Sequence, residues 1–342
     1  MSLKNLNAAI KIPKLLDNNL KNKKINQIYK SFEESLNISE DFIVAVSGGP
    51  DSLALAYLAK IYSIKWKLKA KFIIVNHKLR PNSTDEAKNV KKILKKNMID
   101  SQILDWNGKK PTKNIQSLAR KKRYELLFTV CDKFRINNVL LGHHQDDLFE
   151  NFFIRLLRGS GLKGLISLDK KSRIGNKNLL RPLIDQKKDD LIFLSKYVFN
   201  FYVSDPSNKD QKYQRIRIRS LIEELRICGL DKKKFSNTIN NLKRSNNIVD
   251  FYVSQNLRKN SFFLQQKKKI IFNQEFFEQP YEVVFRSLSQ SIKLIGKKHY
   301  SVRGKKLDKM IENIEKKKSF RLTLGRCIIE KVDQTVIISK EH

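Results

Sequence analysis

The sequence contains only three cysteines among its 342 residues, at the widely separated positions Cys131, Cys228 and Cys327. No two of them form a CxxC pair, the spacing that structural zinc and iron–sulfur sites commonly use. The cysteines therefore indicate neither such a metal centre nor a disulfide framework. We expect a protein of the reducing cytoplasm.

Long apolar runs are also missing from the chain. Spanning a bilayer takes about 20 consecutive apolar residues, and no stretch of this length occurs. Residues 1–24 lack the continuous apolar segment and small-residue cleavage site of a secretory signal. We expect no membrane partner, and one to three globular domains; the composition gives no oligomeric state.

Acidic residues are scarce relative to basic ones. The chain has 34 Asp and Glu against 70 Lys and Arg, which leaves a formal net charge of +36. An AT-rich genome raises lysine content, but it does not suppress acidic residues. An excess of this size indicates a polyanionic partner, and nucleic acid is the leading candidate.

The hydrophobic pattern predicts a parallel sheet in the first half of the chain. Uninterrupted apolar runs separated by helical patterns are typical of strands covered on both faces. The pattern predicts an α/β fold with a five-stranded parallel sheet and helices on both faces. The predicted strands are 42–46, 71–75, 101–105, 138–142 and 178–184, and the predicted helices between them are 52–62, 84–97, 114–134 and 144–158.

The character of the chain changes towards its C-terminus, which suggests three parts. Residues 1–38 are predicted to be a helical cover, with a Lys-rich helix over 13–37, and residues 39–210 a catalytic domain. Residues 211–342 are predicted to be a basic region, helical to about 260 and mixed α/β after it. The alternating pattern of residues 321–342 predicts a β-hairpin.

Glycine is rare, with 12 in the chain, yet two are adjacent in the segment Ser47-Gly48-Gly49-Pro50-Asp51-Ser52 after the first predicted strand. Glycine permits a tight turn and lets an anion approach the backbone closely. Successive amides and the start of the next helix then form an anion site, to which the serine hydroxyls add donors. The alternative is an ordinary strand-to-helix turn with capping serines.

Asp51 is unexpected in an anion site unless a metal joins it to phosphate oxygens, and Mg²⁺ suits oxygen ligands of this kind. The loop is not a Walker A sequence, because GxxxxGK[ST] occurs nowhere in the chain. GSGLKG at 159–164 spells GxGxxG, but it follows a predicted helix and not a strand. It therefore fails as a dinucleotide-binding motif.

Three of the five histidines follow predicted strands, namely His77, His143 and His144. The carboxyl ends of parallel strands line one crevice, so these side chains are expected near the SGGPDS loop. The spacing of His143, Asp147 and Glu150 puts them on one helix face. A carboxylate pair there can hold Mg²⁺ or a substrate amine; the alternative is a helix start favoured by the dipole.

The loop resembles SGGxDS, the pyrophosphate loop of the ATP-pyrophosphatase superfamily. Further segments occur in the order of its lysidine-forming branch, the tRNA(Ile)-lysidine synthetase family. These segments are HKLRP at 77–81, GHHQDD at 142–147, LRGSGLKGL at 157–165, RPLI at 181–184 and DPSN at 205–208. Departures from the family pattern include Asn76 for an aspartate, Gln145, Leu148, Asn151, and Ile216 for an asparagine.

The resemblance implies a fold like that of the adenine-nucleotide alpha hydrolases, and an enzyme that uses ATP and Mg²⁺. It implies that the enzyme adenylates the C2 oxygen of the wobble cytidine in the isoleucine tRNA with a CAU anticodon. The ε-amine of L-lysine then displaces AMP, which gives lysidine.

The resemblance also implies roles for individual residues. It gives catalytic roles to Asp51, His143 and Asp147, and metal binding to Asp51 and Asp147. Substrate contacts are implied for Glu150, Arg215 and Arg219. The implied nucleotide-binding residues are Ser47, Gly48, Gly49, Pro50, Asp51, Ser52, His77 and Arg120. For Arg120 the alternative is a solvated basic helix face.

Three other functions stay open. A 2-thiocytidine synthetase would be another tRNA-modifying member of the superfamily, and the lack of a CxxC pair argues against it. A small-molecule amidating enzyme such as NAD synthetase is disfavoured by the net charge of +36. A non-enzymatic RNA-binding protein would not require the intact SGGPDS loop.

Overall fold

The structure is a computed structural model that describes residues 12–108, 115–203, 214–266, 268–297 and 302–341. The chain divides into two compact units, Met1–Leu230 and Asp231–His342. This division lies twenty residues beyond the predicted boundary at 210 and 211, and the roles given to the predicted domains stay predictions. DPSN at 205–208 lies outside the described residues.

A six-stranded sheet forms the centre of the first unit, with the strand order β3-β2-β1-β4-β6-β5. Its strands are β1 Phe42–Val46, β2 Ala70–Asn76, β3 Ser101–Asp105, β4 Asn138–Leu140, β5 Lys171–Ile174 and β6 Lys177–Leu180. The first five in spatial order pair in parallel, with Phe42 opposite both Ala70 and Asn138.

The prediction of five strands was wrong by one, because β5 pairs antiparallel to β6 at the edge of the sheet. Its residues KSRI are polar and partly exposed, so they lack the apolar run by which the other strands were predicted. A tight turn at Gly175, with φ of +60°, joins the two strands. The sheet is therefore mostly parallel and not wholly parallel.

Helices cover both faces of this sheet, as predicted. The helices of the first unit are α1 Lys14–Leu20, α2 Lys23–Leu36, α3 Pro50–Lys65, α4 Ser83–Lys96, α5 Ile115–Phe134, α6 Gln145–Leu156, α7 Leu162–Leu165, α8 Lys188–Phe199 and α9 Gln214–Ile227. The helix predicted at the N-terminus is two helices, and the side chain of Asn22 caps the second. GSGLKG follows helix α6, which is the context that the sequence predicted for it.

The alternation of side chains along β1 separates two apolar cores. Phe42 and Val44 join α1, α2, α3, α4 and α8 in one core, and Ile43 joins α5 in the other. Helix α3 is buried along most of its length, from Ser52 to Ala59 without interruption. The loop that precedes α3 is therefore held between a central strand and a central helix.

The second unit is a smaller domain with its own core. It comprises α10 Lys232–Asn260, β7 Ser261–Leu264, β8 Lys269–Phe272, a 3₁₀ turn at Gln274–Phe276, α11 Tyr281–Ile295, α12 Gly304–Lys316, β9 Ser319–Leu324, β10 Cys327–Val332 and β11 Thr335–Lys340. The strands form an antiparallel sheet in the order β7-β8-β11-β10-β9. The segment predicted as a hairpin is thus part of a three-stranded meander.

None of the helices in the described ranges is both long and apolar enough to cross a membrane.

Candidate active site

The SGGPDS loop connects β1 to α3 and depends on its two glycines in different ways. Gly48 has φ of +84°, and a Cβ there would lie 2.7 Å from Cγ2 of Val90. Gly49 is the N-cap of α3 with φ of −70°, and a Cβ there would meet no atom of the described residues within 4 Å. Gly48 is therefore needed for the fold of the loop, whereas Gly49 keeps open space in front of the helix.

The two serines of the loop bond to each other. The amide of Ser47 donates to Oγ of Ser52 over 3.1 Å, and that hydroxyl donates to the carbonyl of Gly49 over 2.9 Å. Ser52 is buried and Ser47 is exposed. Ser52 thus fixes the turn, and Pro50 begins the helix at its first position, where proline is well tolerated.

Asp51 projects from the first turn of α3 and meets a lysine from a distant part of the chain. Nζ of Lys188 lies 2.7 Å from Oδ1 and 2.6 Å from Oδ2 of Asp51. Nε2 of His144 lies 3.7 Å from Oδ1 of the same carboxylate. Lys188 was not among the predicted site residues.

His144 lies between two carboxylates at the start of α6. Its Nε2 is 3.5 Å from Oδ2 of Asp147 and 3.7 Å from Oδ1 of Asp51. Its Nδ1 accepts a hydrogen bond from the amide of Asp146 over 3.2 Å. A neutral imidazole with Nδ1 as acceptor carries its proton on Nε2, so the N–H faces the two carboxylates.

The same residues cap helix α6. The amide of His144 donates to Oδ2 of Asp147 over 3.0 Å, which completes a capping box with the bond from Asp146. The sequence placed both histidines near the SGGPDS loop, but the catalytic role was predicted for His143 and not for His144. A polar residue three positions before an aspartate at a helix start is the signal that could have indicated it.

His143 is half-exposed as a residue, but its Nδ1 is buried and makes no hydrogen bond within the described part of the chain. The pKa of His143 is lowered to about 3, mainly by burial; Asp147 opposes this shift, and the positive charges of Arg181, Arg120 and Arg215 add to it. Burial raises the pKa of Asp147, but the two neighbouring imidazoles and the His144 amide outweigh it, so the net shift is downward. His143 is therefore neutral, and Asp147 is ionised, near pH 7.

Glu150 lies one helical turn beyond Asp147 and pairs with helix α9. Its Oε1 is 2.5 Å from Nε of Arg219, while its Oε2 is buried without a hydrogen-bond partner among the described residues. Burial raises the pKa of Glu150 against the opposing effect of Arg219. Arg215 lies one turn earlier on α9 and is exposed. The predicted substrate residues thus lie on two adjacent helices.

His77 follows β2, and its two ring nitrogens are buried with no hydrogen-bond partner in the described ranges. Burial, assisted by Arg123, lowers the pKa of His77 to about 4. The His77 ring packs edge-on against Trp106 at a centroid distance of 6.1 Å. Asn76, where the family has aspartate, donates to Thr84 and Asp105 and so ties β2 to its neighbours.

Arg120 lies on the exposed side of α5, and its guanidinium stacks over the Tyr124 ring at 5.4 Å. The positive charge of Arg120 contributes to the lowered pKa of His143. It therefore acts on the site through its charge.

The carboxylates of the site fit a metal ion that binds together with a phosphate group. Within the described ranges, no three His, Cys, Asp or Glu residues are grouped to hold a metal ion by themselves. Asp51 and Asp147 both lie against the same imidazole edge. Mg²⁺ commonly takes one or two protein carboxylates and completes its shell with water and substrate phosphates, which matches this pair.

Comparisons with known proteins place the chain in a class and then in a family. Residues 18–225 match the model of the PP-loop domain, the class that the sheet and the SGGPDS loop define. The chain is 34% identical to a tRNA(Ile)-lysidine synthase of Orientia tsutsugamushi over 325 residues, which cover 92% of this chain and 71% of that protein. A tRNA(Ile)-lysidine synthase of Wolbachia pipientis wMel is 33% identical, with 87% and 70% covered. The chain belongs to the tRNA(Ile)-lysidine synthase family of PP-loop proteins, as its motifs predicted.

A solved structure shows the same fold at low sequence identity. The U34-tRNA thiolase NcsA from Methanococcus maripaludis, with its [4Fe-4S] cluster, superposes with a TM-score of 0.55 and 18% identity. The match covers 65% of this chain and 78% of that one. At this identity the likeness concerns the fold alone.

Proposed function

We propose that this protein attaches L-lysine to C2 of the wobble cytidine, position 34, in the isoleucine tRNA with a CAU anticodon. In the first step the C2 oxygen of the cytidine attacks the α-phosphate of ATP, and pyrophosphate leaves. In the second step the lysine ε-amine attacks C2, and AMP leaves with the oxygen. The observation that carries the proposal is the cluster of Asp51, His144 and Asp147 beside the SGGPDS loop.

The loop supplies the environment for the first step. Gly49 leaves space for phosphate at the N-terminus of α3, where backbone amides and the helix dipole favour an anion. Asp51 and Asp147 are the residues that would hold Mg²⁺. When bound, that ion would neutralise charge on the departing pyrophosphate. Ser52 keeps the turn in shape through its bonds to Ser47 and Gly49.

The second step requires the lysine amine to be held and deprotonated. Oε2 of Glu150 is a buried carboxylate oxygen without a partner in the described ranges, so an ammonium group would satisfy it. The raised pKa of Glu150 makes it a better proton acceptor than Asp147, whose pKa is lowered. His143 stays neutral, and its Nδ1, which has no hydrogen-bond partner among the described residues, can accept a hydrogen bond from the amine.

The excess of positive charge supports a tRNA substrate. A formal net charge of +36 is typical of a protein that binds the phosphate backbone of a nucleic acid. The basic C-terminal region is proposed to bind the tRNA backbone. The target cytidine must leave its base stack so that its C2 can reach the crevice at the carboxyl ends of the strands.

Incubating the purified protein with ATP, labelled lysine and the CAU isoleucine tRNA tests the proposal. We expect label in the tRNA, release of AMP, and a nucleoside with the mass of lysidine. Methionine tRNA, which has the same anticodon, is the matched control and is expected to be a poor substrate. Equal labelling of both tRNAs, or a product carrying sulfur in place of lysine, would contradict the proposal.

A further inference from the structure

Lys188 contacts the site but belongs to none of the family motifs, so the resemblance gives it no role. It is the first residue of α8 and lies 137 positions from Asp51 along the chain. Its ammonium nevertheless bonds to both oxygens of the Asp51 carboxylate, at 2.7 Å and 2.6 Å. A cation is thus held at the N-terminus of α3, beside the loop that we propose to receive the phosphates of ATP.

We propose that Lys188 binds a β- or γ-phosphate oxygen of ATP, and that its ammonium exchanges between two anionic partners, this phosphate and the Asp51 carboxylate. The inference rests on ATP use at the loop. It does not depend on which tRNA or which amine the enzyme takes.

The ion pair with Asp51 is open enough for this exchange. The side chain of Lys188 is 32% exposed and that of Asp51 is 22% exposed. Ion pairs in contact with water contribute little to stability, so parting the two groups costs little when a phosphate replaces the carboxylate. The flexible stem of lysine also lets its three donors reach a new acceptor without backbone movement.

The backbone that carries Lys188 is held on both sides. The carbonyl of Gln186 accepts from the amide of Gln145 over 3.1 Å, and its side chain donates to Oγ of Ser31 over 2.7 Å. Asp190 pairs with Lys24 of α2 at 2.8 Å. Helices α2 and α6 therefore fix the base of the lysine, and only its side chain has to move.

The exchange would also leave Asp51 free for another cation. Once the ammonium contacts phosphate, the Asp51 carboxylate has lost its bonds to Lys188 and lies near Nε2 of His144, which also lies near Asp147. The carboxylate oxygens of Asp51 are then available to a divalent cation that accompanies the phosphates. Lys188 thus couples the arrival of phosphate to the release of a metal ligand.

The test compares the binding of ATP and AMP by calorimetry at saturating Mg²⁺. Lys188→Met keeps the length of the side chain but removes its charge, and Lys188→Arg keeps the charge. Lys187→Met is the matched control, because Lys187 is the adjacent, exposed lysine. We expect Lys188→Met to weaken ATP binding by roughly tenfold or more, the effect of losing one hydrogen bond to a charged group. AMP binding should stay as in the wild type, and Lys187→Met should change neither.

Wild-type affinity of Lys188→Met for ATP would overturn the proposal, since the ion pair would then be only structural. An equal loss of ATP and AMP binding would overturn it too, because the defect would not concern the outer phosphates. If thermal unfolding shows that Lys188→Met does not fold, Lys188→Gln takes its place with the same expected and overturning outcomes, while Lys188→Arg should retain most of the ATP affinity. An ATP-specific loss in Lys188→Met, together with a wild-type protein that forms no lysidine, would support this inference and contradict the proposed function.

Discussion

At the scale of single residues, the site places Asp147, a carboxylate whose pKa is lowered, beside imidazoles whose pKa is lowered by burial. His77 and His143 are held neutral by burial, with pKa values lowered to about 4 and about 3. In the unfolded chain both would titrate near 6.5. Between the lowered pKa of the folded state and about pH 6.5, these two residues therefore bind more protons in the unfolded state than in the folded state.

The first prediction concerns the dependence of stability on pH. Because the unfolded chain takes up the protons, the free energy of unfolding should fall as the pH drops from about 6.5 towards 4. Each histidine can contribute up to about 1.4 kcal/mol per pH unit. Urea unfolding between pH 4 and pH 7 should show a shallower slope for His77→Gln or His143→Gln than for the wild type. If both variants showed the same slope as the wild type, neither histidine would be held neutral in the folded protein.

Some residues of the site could be predicted from the sequence, and others could not. The SGGPDS loop and GHHQDD at 142–147 were recognisable because each is a short run of unusual composition at a strand end. Lys188 lies in an ordinary basic segment and meets Asp51 only through the packing of α8 against α3. Contacts across 137 positions leave no local pattern in a single sequence.

At the scale of elements, the turn between β1 and α3 separates the demands of folding from those of binding. The two glycines are adjacent, but only Gly48 has a positive φ and a crowded Cβ position. Gly49 has an ordinary extended conformation and open space. The same substitution at the two positions should therefore act on different properties.

The second prediction uses this contrast. Gly48→Ala should lower the free energy of unfolding by about 1 kcal/mol or more, because alanine is strained at positive φ and its Cβ meets Val90. Gly49→Ala should leave the melting temperature of the ligand-free protein unchanged and weaken ATP binding, since its methyl group occupies the space proposed for phosphate. Differential scanning fluorimetry and calorimetry measure the two effects. Normal ATP affinity of Gly49→Ala would remove Gly49 from the nucleotide site.

The pattern of apolar residues predicted most of these elements for a physical reason. Strands β1 and β2 lie inside the sheet and are mostly buried, so their sequences are apolar runs with clear ends. Strand β5 lies at the edge of the sheet and is mostly polar. A prediction that looks for apolar runs therefore does not detect it. The break between α1 and α2 depends on one capping asparagine, Asn22, inside a continuous helical pattern.

At the scale of the whole molecule, the division into two compact units makes the proposed RNA contacts separable from the nucleotide site. All residues of the candidate active site lie in the unit that ends at Leu230. The second unit contains the lysine runs 232–234, 267–269 and 316–318. Its role as a tRNA-binding surface stays a proposal.

The third prediction concerns this second unit. A chain ending at Leu230 should bind ATP like the full chain, while its affinity for tRNA should fall. Each lost phosphate contact should flatten the dependence of log K on log salt by about 0.7 to 0.9 units. Filter binding between 50 and 200 mM salt measures the slope, and ATP calorimetry is the control for folding. A shortened chain with the full affinity and slope would show that the lysines of the second unit serve only solubility.

The antiparallel strand β5 has a consequence for how copies of the protein meet in a concentrated solution. A parallel sheet that ended at β6 would present a largely buried strand, with unpaired amides and carbonyls that another chain could extend. Strand β5 instead places the exposed side chains of Lys171 and Arg173 on that border. Two copies that approached edge to edge would bring like charges together, so the border resists the intermolecular pairing that begins aggregation.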